Sequence, residues 1–498
     1  MKTRRRTFLE RTVGGLAGAV LGGCGTALPT GTEPLSVPSP SPAPLRREDM
    51  LDIVFIQADD LDAMSIERGI RGEIQDGDVR FMPNLSHLAQ DGTVFTNSYV
   101  ASALCGPSRA ALLTGKYPHT TRIIGNGDDG SKDGGFPGLM EYGDGRTLAT
   151  FLHDIGYQTL MVGKYINNYH LGDGHRPPGW SRWFAVSTTG AYQDYYVVRD
   201  DGASEFFGQG PENYTTDVLG QRAVSLLDET ISQHPTDPFF LFLNFVAPHK
   251  PARPPARYGG LFRREVPMVH TWNEDIRDKP DFLRNDPPLD SATWEEITRL
   301  YVKRLQCMQG VDDWIGRIVQ FLVQRNRINR TMVIFTSDNG WLEGQHRMPL
   351  IKKVAYEESV RVPTVIRGPG LQRGWSNQFI SNVDYIPTFL DMAGHPVPED
   401  LEGRSFKPLF NPSGTGADQL RVDVFTEMLN EEDIPPYREL RTRDWAIIEY
   451  GGEELEAYDM RVDPYQQDNL GRLSPDRIPR ELIDRLHRLS TCSGRQCW

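Results

Sequence analysis

Leu51-Asp-Ile-Val-Phe-Ile-Gln-Ala-Asp-Asp60 is the stretch that decides the fold class. Its apolar residues follow one another without the polar alternation of a strand wetted on one side. That is the pattern of a strand buried on both faces, as in parallel sheets packed between helices. Pro238-Phe-Phe-Leu-Phe-Leu-Asn-Phe-Val246 and Thr331-Met-Val-Ile-Phe-Thr-Ser337 repeat it. The expected fold is therefore α/β, with a mostly parallel central sheet flanked by helices. Each of the three strands runs into polar residues: Asp59-Asp60, the His249 between Pro248 and Pro251, and Asp338-Asn339-Gly340. Sheets of this kind build their sites at the carboxyl ends of strands.

An aspartate pair at a strand end also fits a helix cap or a solvated turn. Two adjacent carboxylates repel unless a cation lies between them, which suggests a metal ion, and the pair by itself leaves both readings open. Asp338 and Asn339 add oxygen donors from a second strand end. Four such donors suit a hard divalent ion, so Ca²⁺ is favoured, with Mg²⁺ the alternative. No Cys/His set has zinc spacing.

Cys105-Gly-Pro-Ser-Arg-Ala-Ala-Leu-Leu-Thr-Gly115 reads as a loop feeding a helix. Pro107 suits the first helical position, which places Cys105 where partial positive charge favours an anionic atom. Arg109, one turn on, can point back at it. Taken alone, the stretch also fits a buried cysteine at a helix start.

Cys-x-Pro-Ser-Arg followed by Leu-Thr-Gly, with Asp59-Asp60 before it and Asp338-Asn339-Gly340 after it, resembles the signature of the type I sulfatases. The resemblance runs from about Leu51 to Leu470 and implies the alkaline-phosphatase-like fold. It further implies that Cys105 is oxidised to formylglycine by a formylglycine-generating enzyme, and that the hydrated aldehyde attacks sulfur through a sulfated intermediate. Asp59, Asp60, Asp338, Asn339 and the modified Cys105 would hold the metal. Arg109, Lys164 and Lys352 would offset the sulfate charge, and His249 would contact the ester oxygen as proton donor. Lys352 matches the family's Lys-x-x-x-Tyr-Glu passage, with Lys353 the neighbouring choice. Many members carry a histidine two positions after Lys164, where this chain has Ile166. Gly163-Lys-Tyr-Ile-Asn167 with Pro177-Pro-Gly-Trp180 is instead similar to the N-acetylglucosamine-6-sulfatase branch, which makes Asn167 a candidate substrate contact. His119 is the nearest spare imidazole by sequence, although a surface turn is the commoner place for such a residue.

The chain has 498 residues, 38% of them hydrophobic, and a formal net charge of −13. That length can bury one large domain and a smaller one. Nothing in it suggests a nucleic-acid partner. Arg5-Arg6 ahead of an apolar run ending Leu21-Gly-Gly-Cys24 resembles a twin-arginine export signal with a lipobox. Export is thus expected, secreted or periplasmic, with a possible lipid anchor at Cys24 as the one link to a membrane. The expected organisation is an export signal over 1–24, a Pro/Ser-rich linker over 25–48, a catalytic domain over 49–395 and a C-terminal subdomain over 396–498.

Within those limits, helices are expected over 147–155, 217–228 and 482–489, and around Cys307 as a buried inert thiol. A long loop region over 251–295 is expected above the pocket mouth. Strand candidates at 422–427, 439–450 and 455–459 suggest a small antiparallel sheet. Cys492 and Cys497 could pair in an exported chain.

The reading is a sulfatase that hydrolyses sulfate monoesters, on sulfated sugars such as N-acetylglucosamine-6-sulfate units or on an arylsulfatase-type substrate. Two others compete with it: a phosphonate or phosphate ester hydrolase of the same superfamily, and a lipoprotein that binds sulfated glycans without turnover.

Overall fold

In the computed structural model, the described residues are 45–498 apart from 128–131, 173, 188–189, 411–419, 431–432 and 452–453. The export signal, Cys24 and the linker as far as residue 44 lie outside them. Among the described residues, ten strands share one sheet: Asp52–Ala58 (β1), Thr93–Tyr99 (β2), Gln158–Lys164 (β3), Arg182–Val186 (β4), Tyr195–Arg199 (β5), Ser204–Phe207 (β6), Phe239–Asn244 (β7), Thr331–Ser337 (β8), Thr364–Arg367 (β9) and Gly374–Ser381 (β10). Their spatial order is β10-β2-β9-β8-β1-β7-β3-β4-β5-β6.

The central run β8-β1-β7-β3-β4 is parallel throughout. All seven residues of β1 are buried, as the unbroken apolar run requires. Val54, Ile56 and Ala58 face a core shared with Thr215–Gln233 (α2) and Ser291–Gln324 (α3), while Ile53 and Phe55 face a second core with Cys105–Thr114 (α1) and Tyr385–Met392 (α4). Phe55 meets Tyr385 edge-on, 4.8 Å between ring centres. A side chain of that size contributes about 1.5–3 kcal/mol when fully buried.

The sheet also departs from parallel. β9 is reversed against both β8 and β2, and β4-β5-β6 form an antiparallel edge. Short connections join β4, β5 and β6, whereas β9 is reached from β8 only after residues 338–363.

A second sheet is an antiparallel meander of Asp423–Met428 (β11), Tyr437–Thr442 (β12), Trp445–Tyr450 (β13) and Glu454–Asp459 (β14). The single strand expected over 439–450 is in fact two. The chain turns at Arg443-Asp444, where Thr442 Oγ1 accepts from Trp445 N at 3.0 Å. That pair lacks the Asn-Gly or Asp-Gly chemistry that marks tight hairpins. Arg480–Leu489 (α5) covers one face of this sheet. Cys492 and Cys497 form a disulfide, and Cys307 is a buried free thiol.

The only regular element within residues 251–290 is a short 3-10 turn at Ala256–Tyr258. The long loop is fastened all the same. Lys279, fully buried, donates to Tyr458 OH at 3.0 Å and to the Gln467 carbonyl at 3.0 Å. No described helix is long and apolar enough to cross a membrane.

Candidate active site

β1 and β8 run in register, with Ala58 beside Ser337, so Asp59-Asp60 and Asp338-Asn339 leave the sheet together. β7 joins them through Asp59 N, which donates to Ala247 O at 3.2 Å. Asp60 adopts a left-handed backbone, φ 64°, a conformation that aspartate tolerates better than most residues. Asp338 Oδ1 accepts from the main-chain N–H of Asp60 at 3.0 Å and of Asn339 at 2.9 Å. These two bonds fix the Asp338 carboxylate.

Helix α1 brings Cys105 to this point. It begins at Cys105 itself, so Pro107 is its third residue rather than its first. Pro107 still falls in the first turn, where its missing N–H costs no bond. Every residue of α1 is buried. Cys105 Sγ lies 3.6 Å from Asp59 Oδ1 and 3.6 Å from Asp60 Oδ1. One ligand atom from each of Asp59, Asp60, Cys105 and Asp338 falls within 4.8 Å of the others.

Three cations face these acids. Lys164 Nζ lies 2.7 Å from Asp59 Oδ2. Its position depends on Gly163, φ 105°, where a Cβ would stand 1.9 Å from Asn244 O. Lys352 bonds Asp60 and stands 2.6 Å from Cys105 Sγ, while Lys353 N donates to Ala103 O. Arg109 donates through Nε to Asp338 Oδ2 and through Nη1 to Lys164 O, each at 2.9 Å. Its bonds thus go to a carboxylate and a carbonyl instead of back to the thiol, which is the weaker acceptor.

His249 Nε2 lies 3.6 Å from Asp60 Oδ2. Nδ1 is 2.7 Å from Lys250 O. A carbonyl only accepts, so Nδ1 carries a proton and Nε2 is the nitrogen turned to the cluster. A quarter of the His249 side chain is exposed, in contrast to the carboxylates it faces.

Burial alone would raise Asp59, but Lys164 above all, then His249, Arg109 and Lys352, hold its carboxyl far below the usual range. Burial likewise opposes Asp60, and Lys352 and His249 pull it down. Asp338 is raised by burial and by Asp59, more than Arg109 lowers it. Burial pushes the Cys105 thiol well up, beyond what Lys164 and Lys352 offset. Burial thus works against a thiolate at Cys105.

The donor set fits a hard divalent cation. Asn339 Nδ2 donates to Asp60 Oδ1 at 2.9 Å and to Gly340 O at 2.8 Å, whereas its Oδ1 is buried with no hydrogen-bond partner. A buried amide oxygen left in that state is costly, and a cation beside Asp59, Asp60 and Asp338 would satisfy it.

Not every candidate joins the cluster. Asn167 is buried, its main-chain carbonyl accepts from Phe136 N at 2.8 Å, and its Oδ1 has no partner. Ile166, at the position of the absent histidine, packs in the hydrophobic core on the α1 side of the sheet. His119 is held elsewhere, with Nδ1 2.8 Å from Glu427 Oε1 and Nε2 3.0 Å from Cys492 O. Burial opposes its charge, yet Glu427 outweighs this and raises its pKa.

Sequence reasoning missed Asn126, whose Oδ1 accepts from Gly106 N at 2.9 Å, next to Cys105. Its position in Gly125-Asn126-Gly127, a turn-forming triplet, was the available signal.

Residues 52–395 match the Sulfatase family, and residues 344–491 match the family described as N-sulphoglucosamine sulphohydrolase, C-terminal. The chain is similar to N-acetylglucosamine-6-sulfatase of Homo sapiens, 29% identical over 454 residues that cover 82% of this chain and 81% of that protein. It is 26% identical to N-acetylglucosamine-6-O-sulfatase of Bacteroides thetaiotaomicron over 508 residues, covering 87% and 85%. A solved structure of a protein in complex with its substrate, D-glucosamine-2-N,6-O-disulfate, shares the fold with a TM-score of 0.71 at 24% identity, over 90% of this chain and 98% of that one. Phosphonate monoester hydrolase from Silicibacter pomeroyi shares it as well, with a TM-score of 0.67 at 21% identity over 89% and 94%. The family match spans the three strand ends on which the acids, Cys105 and His249 converge, and on that ground the chain belongs to the sulfatase family and is a sulfuric ester hydrolase.

Proposed function

We propose that this chain is an exported sulfatase that removes the 6-sulfate of glucosamine units in sulfated glycans, with Cys105 converted to formylglycine and Ca²⁺ at Asp59, Asp60, Asp338 and Asn339, Mg²⁺ being the alternative. The observation that carries the reading is a buried oxygen set with one orphaned donor, gathered around the buried Cys105 thiol. The names of the relatives supply the sugar. A divalent ion there would supply fixed positive charge against the sulfate oxygens, and formylglycine a hydrated aldehyde oxygen in place of sulfur.

The chain's own residues do the rest. Lys164 and Lys352 place ammonium groups beside residue 105 and offset the charge of a sulfate held there. Arg109 fixes Asp338 and the end of β3, so that both lysine and carboxylate keep their aim. Nε2 of His249, when protonated, gives its proton to the leaving sugar oxygen as the S–O bond breaks. Sugar alkoxides leave poorly, and such proton donation contributes about 10²–10⁴ in rate. Asn167, with its unpartnered Oδ1, is the proposed contact to the sugar. A formylglycine-generating enzyme acts on the chain during maturation. Export through residues 1–24, a lipid anchor at Cys24, and the division into a 49–395 catalytic domain and a 396–498 subdomain complete the proposal.

The test uses protein from its native host. The tryptic peptide ending at Arg109 is expected to show the aldehyde or its hydrate by mass spectrometry. N-acetylglucosamine-6-sulfate should be turned over in preference to phosphate and phosphonate monoesters, with activity lost to chelator and restored best by Ca²⁺. A plain thiol in active protein, or a preference for phosphonates, overturns the reading.

A further inference from the structure

His249 and Asp60 belong to different strand ends, and one buried arginine from a third element touches both supports. Arg304 lies on α3, 2% exposed. Its Nη2 donates to Asp60 O at 2.6 Å, and its Nη1 to Pro248 O, the residue before His249, at 3.5 Å. On the other side Nε is 3.2 Å from Glu343 Oε1, and Nη2 is 3.8 Å from Asp62 Oδ2. The guanidinium also lies over the Trp341 ring, 5.1 Å from its centre.

We infer that Arg304 is a positioning residue: it sets the distance between the His249 imidazole and the Asp60 carboxylate, and thereby the aim of the proton donor. The inference rests on the proton-donor role proposed above for His249. A guanidinium is a planar fork with fixed donor directions, so two carbonyls bound to one fork cannot move independently. The left-handed turn at Asp60 gives its carbonyl to Arg304 while its carboxylate faces Lys352, Cys105 and His249. Glu343 and Asp62 both lie within ion-pair distance of the arginine, the company a buried charge requires. Neither Glu343 nor Arg304 touches Cys105 or the two lysines in any hydrogen bond or ion pair among the described residues. The sequence signal was available: Arg304 shares a helical stripe with Tyr301, Leu305 and Met308, all buried, and a charge on an apolar face needs a partner.

The test separates positioning from plain structural support by the leaving group. Arg304→Met and His249→Gln are assayed on 4-nitrophenyl sulfate, whose phenolate leaves without help, and on N-acetylglucosamine-6-sulfate, whose alcohol does not. Misplacing a reacting group by about 1 Å costs about 10²-fold. Arg304→Met should therefore lose about 10²-fold in kcat on the sugar ester and about 10-fold or less on the aryl ester, with KM changed little. The double variant should be no slower on the sugar ester than His249→Gln alone. Glu343→Gln, which keeps the arginine, should show the same skew at about a tenth of the size, and serves if Arg304→Met does not fold. Equal losses on both esters, or losses that multiply in the double variant, overturn the inference. If His249→Gln itself loses equally on both esters, the proton-donor role fails first, and Arg304's role falls with it.

Discussion

β1 begins on one buried aspartate and runs into two more, and its two ends treat that charge in opposite ways. At the amino end, Asp52 is closed. Arg327 meets both its oxygens at 2.7 Å, Arg330 lies at 3.5 Å, and Phe239 N donates at 3.3 Å. At the carboxyl end, Asp59, Asp60 and Asp338 share lysines and an arginine around a thiol, and an amide oxygen beside them has no partner. A fully paired carboxylate has nothing left to offer a ligand. The open end keeps its donors, and its neighbours hold them in place.

The largest expected effect belongs to the open end. Cys105→Ala should lower kcat by about 10⁵–10⁶, the scale on which loss of a nucleophile is felt, with the melting temperature unchanged. An activity loss below about tenfold would mean that residue 105 is not the reacting group. The closed end should do the reverse. Asp52→Ala strands Arg327 in the interior and should cost about 3–5 kcal/mol of stability by urea unfolding, with kcat of the folded fraction intact. A change confined to kcat would erase the contrast.

An acid in the long loop, its side chain 7% exposed, sharpens it further. Glu274, 2.6 Å from His346 Nδ1, has neither a fork nor an ion cluster. Burial pushes its carboxyl up to about 7, against Lys279, which lowers it, and burial holds the His346 imidazole down at about 3. The folded state therefore binds a proton that the unfolded chain releases near 4.5. Between about 4.5 and 6.5 that proton is matched by the one His346 takes up only on unfolding, so the pair leaves stability level with pH there. Glu274→Gln removes the folded-state proton and should make stability rise with pH over that window in denaturant titrations. The smallest effect is expected at Asp275 and Arg277, which repeat the bidentate contact in solvent, at 2.8 and 3.0 Å from Nε. Arg277→Ala should leave the melting temperature where it was. A measurable drop would mean that geometry, not burial, makes the Asp52 pair matter.

What the sequence made legible follows the same division. Continuous apolar runs ending in acids located β1, β7 and β8 and the residues that meet beyond them, because burial on two faces leaves a plain composition signal. Lys352 and Cys105 were legible as motif positions, although no local rule places them 2.6 Å apart. The reversal of β9 was not legible, since a short apolar strand reads the same in either direction. Nor was the Arg443-Asp444 turn, which uses residues at home in strands or loops. Arg304 was legible only as a charge on an apolar helical face, because its partners, main-chain carbonyls of distant segments, leave no mark on their own sequence. Asn167 carries the family pattern, yet its side chain has no hydrogen bond to the described cluster.

The depth of Cys105 has a consequence in time. Its helix has no exposed residue, so an enzyme that alters the thiol can reach it only before that helix docks beneath the strand ends. On the proposed conversion of Cys105, modification and folding compete for the same chain, and the modified fraction is set by two rates rather than by an equilibrium. On the same proposal, a preparation made faster than the conversion can proceed would be folded, with its inactive molecules locked in that state.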